Sequence, residues 1–150
     1  MRVVADTGPL VAAANRRDRA HHLAVALVTE IGPDLLVPLP VVVEVDQLLR
    51  ARVGPHSARS FLAAMVGGEH TLVFPTAAIM RTAAAIDARY ADLDLGITDA
   101  TVMTFADREA LPVLTFDFED FRAAPPPGGF WRLVVDEERY LRAVMRDTEE

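Results

Sequence analysis

The sequence predicts an α/β fold in which a parallel sheet lies between layers of helices. Short runs of Val, Leu and Ala alternate along the chain with longer segments of helical periodicity. Those runs are continuously apolar rather than alternating, the pattern of strands covered on both faces. At 150 residues, 51% hydrophobic and 25% charged, the chain is long enough for one domain with a real core and too apolar for disorder.

Arg2 to Ala5 forms the first strand and ends at Asp6. A brief helix follows, with Pro9 in its first turn, where the missing N–H is harmless, and Asn15 near its end. Leu23, Leu27 and Ile31 recur at i, i+4 and i+8 and make Arg19 to Ile31 helical, until Gly32-Pro33 stops it. Leu35 to Pro38 is the second strand. Pro40 opens a helix that runs to about Arg52 and closes at Gly54-Pro55. His56 to Val66 is helical, with Phe61, Leu62, Met65 and Val66 inward and Gly67-Gly68 at its end. Thr71 to Phe74 is a strand. Thr76 then caps a helix to about Tyr90 with Ile79, Ala83, Ile86 and Tyr90 as its stripe. Thr98 is expected to cap a helix to about Ala110, and Val113 to Phe116 a strand ending at Asp117. Beyond the loop Pro125-Pro126-Pro127-Gly128-Gly129, Arg132 to Val135 is a last strand. Asp136 to Arg146 is a helix whose acidic start suits the macrodipole. Residues 1–135 are expected to form the domain, and residues 136–150 a C-terminal helical extension.

Two absences exclude whole chemistries. With no cysteine there is no disulfide, thiolate metal site or thiol nucleophile. With no lysine among the 15 basic residues there is no P-loop lysine and no Schiff base. A haloacid-dehalogenase-like phosphatase and a receiver domain both place an aspartate after a first strand, but both need a lysine. The phosphatase also needs a second aspartate where Gly8 stands. No apolar run approaches the ~20 residues of a membrane span, and Asp6, Arg16, Arg17 and Asp18 break any signal-peptide pattern. A cytoplasmic protein with no membrane contact is expected.

The net charge of −7 argues at first against a nucleic-acid partner. The excess is local, however. Nine acidic and two basic residues lie between Asp87 and Asp120, and the rest of the chain is balanced.

Four carboxylates stand out. Asp6 ends a strand and starts a helix, as an N-cap or as a site residue at a sheet's carboxyl edge. Glu44 shares a helix face with Val41, Leu48 and Ala51, so it is expected on a core-facing stripe. There it needs an arginine partner, a proton or a metal. Asp99 lies in a first helical turn on the face of Val102, Met103 and Ala106, as dipole compensation or as a site residue. Asp117 ends a strand, as an Asx turn or as a site residue. Asp46, Glu119 and Asp120 fit a solvated surface, and Asp94 a loop surface, where it is the nearest substitute for Asp99. The four can converge at one sheet edge. Two carboxylates ~4–5 Å apart repel by roughly 3–4 kcal/mol at an effective dielectric of ~20, so such a set calls for cations. Oxygen ligands without cysteine or a His-x-x-x-His pair suit Mg2+, with Mn2+ as substitute, rather than zinc. Phosphodiester hydrolysis is the reaction class that follows. His21, His22, His56 and His70 fit surface or capping roles, and Trp131 the core.

Four segments in this order resemble the PIN domain, and within it the VapC-type toxin ribonucleases. They are Val3-Val4-Ala5-Asp6-Thr7-Gly8-Pro9-Leu10, Val37-Pro38-Leu39-Pro40-Val41-Val42-Val43-Glu44-Val45, Leu93-Asp94-Leu95-Gly96-Ile97-Thr98-Asp99-Ala100 and Leu114-Thr115-Phe116-Asp117-Phe118. The resemblance covers roughly residues 1–135. It implies a three-layer PIN-like fold with a four- to five-stranded parallel sheet flanked by helices, a metal-binding and catalytic quartet of Asp6, Glu44, Asp99 and Asp117, and Mg2+-dependent RNA cleavage. It also implies a homodimer that a small VapB-like antitoxin neutralises. Thr115 resembles a position that supports the site, and Thr7 is expected to do the same. Phe118-Glu119 departs from the basic start expected of the helix after Asp117. Arg16, Arg17, Arg19, Arg50 and Arg52 are candidates to hold the RNA backbone. The helices near residues 8–31 and 40–66 are expected to offer the antitoxin a groove. A catalytically silent PIN-like binding module and a DNA-directed nuclease are the alternatives.

Overall fold

The structure, a computed structural model, describes residues 1–149. In chain order its elements are β1 (Val3–Ala5), α1 (Thr7–Ala14), α2 (His21–Ile31), β2 (Leu35–Pro38), α3 (Leu39–Arg52), α4 (Pro55–Val66), β3 (Thr71–Val73), α5 (Ala77–Arg89), α6 (Gly96–Arg108), β4 (Val113–Leu114), α7 (Phe118–Ala123) and α8 (Glu137–Glu149). Short 3-10 turns lie at Gly32–Asp34 and Ala91–Leu93. The strands form one parallel sheet in the order β3-β2-β1-β4.

The aliphatic runs explain that order. Every residue of β1, β2 and β4 is buried, as strands between two helix layers require. β3 lies at the sheet edge, and its Thr71 is exposed with Leu72 and Val73 half-buried. Val41, Val45 and Leu49 of α3 and Val102 and Met103 of α6 close the core over the sheet. β1 is flanked by β2 and β4, with Val4 in register with Leu36 and Val113. The carboxyl ends of β1 and β4 therefore lie side by side.

The expected fifth strand is a single parallel bridge from Leu133 to Val113. β4 is two residues long and offers its outer edge only the Val113 N–H and carbonyl, bonded to the Arg132 carbonyl at 2.8 Å and the Val134 N–H at 3.0 Å. Thr98 does not cap α6. The helix starts two residues earlier, at Gly96, because Asp94 and Gly96 take left-handed φ angles of 50° and 79° and turn the chain there. Val66 points outward, 82% exposed, while Met65 takes the buried position.

α8 packs back on the body. Tyr140 and Val144 rest on the small buried cluster Ala12, Ala20 and Ala24, and the Tyr140 ring lies 4.7 Å from Phe116 and 5.5 Å from Phe118 between centroids. Trp131 packs edge-on against Phe121 and donates its indole N–H to the Ala124 carbonyl at 2.7 Å. Among the described residues, no helix is long and apolar enough to cross a membrane.

Candidate active site

Asp6 is held by three elements. As N-cap of α1, its Oδ1 accepts the Thr7 N–H at 2.8 Å. Its own N–H donates to the Leu114 carbonyl at 2.9 Å, which pins it beside the end of β4. There Thr115 Oγ1 donates to Asp6 Oδ2 at 2.7 Å. Cap and site carboxylate use different oxygens, so Asp6 can be both.

Asp117 follows β4 by three residues rather than ending it. Its N–H donates to Thr115 Oγ1 at 2.9 Å, and its Oδ1 caps α7 by accepting the Asp120 N–H at 3.1 Å. Asp99 sits in the first turn of α6. Asp87 of α5 accepts the Gly96 N–H at 3.0 Å and so ties down the end of the helix that carries Asp99.

Glu44 is not on the core stripe of α3, which consists of Val41, Val42, Val45 and Leu49. Glu44 and Leu48 flank that stripe half-buried, and Ala51 is exposed. Among the described residues, no arginine pairs with Glu44 within 4.0 Å, so the buried ion pair is not its role.

Asp6, Glu44, Asp99 and Asp117 line one cavity of about 420 Å3. Thr7, Asp18, Arg52 and Tyr140 are among its other walls. Sequence reasoning set Asp120 aside as solvated, yet Asp99, Asp117 and Asp120 each offer a carboxylate oxygen within 4.8 Å of the others. Its signal was the i, i+3 spacing from Asp117 across a helix start, which turns the two side chains to one side.

The electrostatics are those of crowded anions. At 4.8 Å two ionised carboxylates repel by about 3.5 kcal/mol at an effective dielectric of ~20. Burial pushes Asp6 above the ordinary carboxylate range, with Asp117 and Glu44 adding to the shift, although the Thr115 and Thr7 hydrogen bonds pull the other way. Asp99 is pushed up to about 8, first by burial, then by Asp6, Asp117 and Glu44, and by a hydrogen bond with Asp6 that exists only when one of the two carries a proton. Asp120 is raised as well, by desolvation and then by Asp117. A hard divalent cation would relieve all of these at once. The residues fit one: every donor is an oxygen, and the buried Thr7 Oγ1, in the cavity wall, has no hydrogen-bond partner among the described residues.

Of the candidate arginines, Arg52 lines the carboxylate cavity. Arg16, Arg17 and Arg52 also border a larger groove of about 740 Å3, floored by Leu10, Val28, Phe61 and Met65 of α1, α2 and α4. The smaller cavity is the candidate for the chemistry, because among the described residues the larger one is lined by one carboxylate, Glu69. Arg50 is tied to Asp46 at 3.0 Å. His21 and His70 hydrogen-bond the carbonyls of Ala12 and Gly32 at 2.9 and 2.8 Å, which fits structural roles.

The PIN domain family model matches residues 3–125. Ribonuclease VapC26 of Mycobacterium tuberculosis (strain ATCC 25618 / H37Rv) is 35% identical over 129 residues, which covers 85% of this chain and 95% of the relative. Among solved structures, the Sarcin-Ricin loop cleaving toxin VapC20 of M. tuberculosis superposes with a TM-score of 0.74 at 21% identity, covering 81% of this chain and 94% of that one. VapBC2 from Rickettsia felis, bound to a DNA fragment from its promoter, superposes with a TM-score of 0.60 at 15% identity over 83% of this chain and 94% of that one. At such identities the two structures speak for the fold, a parallel sheet between helix layers. The family match and the 35% identical relative go further: the chain belongs to the PIN domain family, in its VapC-type branch.

Proposed function

We propose that this chain is a divalent-metal-dependent endoribonuclease and the toxin of a VapBC-type toxin–antitoxin pair. The observation that carries the proposal is the cavity that gathers Asp6, Glu44, Asp99 and Asp117 from the ends of β1 and β4 and from α3 and α6. The 35% identity to a named ribonuclease supports RNA as the substrate.

In this reading Asp6 and Asp99 hold the main ion, Mg2+ or its substitute Mn2+, and Glu44, Asp117 and Asp120 complete its surroundings. The cation, when bound, neutralises the cluster and stabilises charge that builds on the phosphoryl oxygens. Thr115 fixes the orientation of Asp6 and the main chain of Asp117. A cluster carboxylate accepts the proton of the attacking water. Arg52, in the same wall, is placed to hold a phosphate by its fork. The groove of about 740 Å3 between α1, α2 and α4 suits an apolar, helical segment of a VapB-like antitoxin. A homodimer acting in the cytoplasm completes the proposal, and the mass of the purified chain in solution tests the dimer.

The deciding experiment incubates the metal-stripped full chain with RNA and DNA of matched sequence, with and without Mg2+. Cleavage of RNA alone, restored by Mg2+, is expected. Cleavage of neither, with no thermal stabilisation by Mg2+ or Mn2+, would overturn the proposal in favour of a silent binding module.

A further inference from the structure

Away from the carboxylates, the chain gathers positive charge in one place. A cleft of about 660 Å3 is lined by Arg19, His22, Leu23, Arg139, Arg142, Ala143 and Arg146. Among the described residues it thus holds four of the 15 arginines and no carboxylate, on a protein of net charge −7. Two elements far apart in sequence build it. Arg139, Arg142 and Arg146 stand at i, i+3 and i+7 of α8, one face of the helix, over a rise of about 10 Å. Tyr140 and Val144 seat α8 against Ala20 and Ala24, which brings that face alongside Arg19, just before α2, and His22 in its first turn. Arg142 touches Glu138 at 3.5 Å, an exposed i, i+4 pair of small stabilising effect. The fold thus assembles like charges with no opposite charge in the cleft wall among the described residues, an arrangement that favours an anion.

The cleft adjoins the carboxylate cavity. Asp18 and Tyr140 line the cavity, and their chain neighbours Arg19 and Arg139 line the cleft. We propose that this arginine cleft is an RNA-backbone exosite, in which Arg19, Arg139, Arg142 and Arg146 hold phosphates of the substrate strand beyond the one in the carboxylate cavity. The inference rests on the ribonuclease reading. The guanidinium fork suits it, since it binds phosphate oxygens in pairs, and a stripe of that length meets more than one successive phosphate. It also explains how a chain with an acidic site engages a polyanion: three of the four arginines stand on α8, outside the matched residues 3–125, and Arg19 completes the set.

The test measures binding of a fluorescein-labelled RNA hairpin to the full chain in an Asp99→Asn background, which keeps the RNA intact. Arg139→Gln/Arg146→Gln is compared with Arg139→Lys/Arg146→Lys and with Arg59→Gln/Arg81→Gln, which removes the same charge from α4 and α5. The cleft pair of glutamines should weaken binding about tenfold and lower the slope of log K against log salt by about 1.4, the loss of two phosphate contacts. The lysine pair should keep the slope, and the control pair should change little. Hairpin affinity and slope equal to those of the parent, or an equal loss in the control pair, would overturn the exosite. RNA cleavage by the unsubstituted chain is scored separately, so failure of the ribonuclease reading is distinguishable from failure of the cleft.

Discussion

Thr115 and Asp6, 109 residues apart, are joined by a buried hydrogen bond of 2.7 Å from the Thr115 hydroxyl to the Asp6 carboxylate. The same hydroxyl accepts the Asp117 N–H at 2.9 Å. One oxygen therefore sets the position of two site aspartates. Thr115→Val keeps the volume and removes both bonds. It should cost about 1–3 kcal/mol of stability, because a buried carboxylate and a half-buried N–H lose their partner, and it should lower RNA cleavage. Thr115→Ser should restore both. Urea denaturation and initial cleavage rates check this, and a fully active, equally stable valine variant would contradict it.

Asp6→Asn and Asp99→Asn should each reduce RNA cleavage about a hundredfold or more, the order seen when a group that stabilises transition-state charge is lost. The two should differ in stability. Asp99 is held against burial and three neighbouring carboxylates, so Asp99→Asn should make the metal-free protein more stable, by on the order of 2 kcal/mol at neutral pH. Asp6 carries the α1 cap and the Thr115 bond, so Asp6→Asn should gain less. Thermal unfolding without metal separates them.

Much of this candidate site was legible in the residues themselves. A strand of Val and Ala running into Asp6, and Val113-Leu114 leading to Asp117, mark the carboxyl edge of a parallel sheet wherever the helices lie. Glu44 was legible as an acid among aliphatic residues, though its face was misjudged: helical periodicity places a residue on a stripe to within a position, and Glu44 falls just off it. Asp120 is harder to read, because its i, i+3 spacing from Asp117 brings the two together only through the tight turn that Asp117 caps. The start of α6 was hidden because the left-handed turn at Asp94 and Gly96 outweighs the capping preference of Thr98. The arginine stripe of α8 was masked by the acidic residues interspersed in the same segment. Only its seat on α2 shows which face matters.

Stability of the metal-free protein should depend on pH with an unusual sign. Asp99 has an ordinary value of 3.8 and is raised to about 8 in the fold. Between these values the folded state holds a proton that the unfolded chain has released. Stability is therefore fully present below about 4 and lost as pH rises toward 8, by at most about 1.4 kcal/mol per pH unit from this group. Mg2+ or Mn2+ should reverse the loss, with a gain that follows RT ln(1 + [L]/Kd) and grows with pH as the proton competes less. Melting temperatures across pH, with chelator and with metal, check the sign. A metal effect that is largest at acid pH would contradict it.

Asp87 and Gly96 should matter to metal binding without touching the metal. Asp87 accepts the Gly96 N–H at 3.0 Å, and Gly96 sits at φ +79° with open space where a Cβ would go. Gly96→Ala would therefore meet no clash, only the strain of a left-handed alanine, roughly 1 kcal/mol. Asp87→Ala removes the tether at the start of α6 and should cost about 0.5–2 kcal/mol, the range of a lost helix cap. Both changes loosen the turn that presents Asp99, so both should weaken Mn2+ binding more than they lower global stability. Asp92→Ala, at an exposed acid in the same segment, removes equal charge and should leave Mn2+ affinity unchanged. Calorimetric Mn2+ titration of the three variants decides it. If Asp92→Ala and Asp87→Ala weaken binding alike, the effect is diffuse charge, and the tether has no part in holding Asp99.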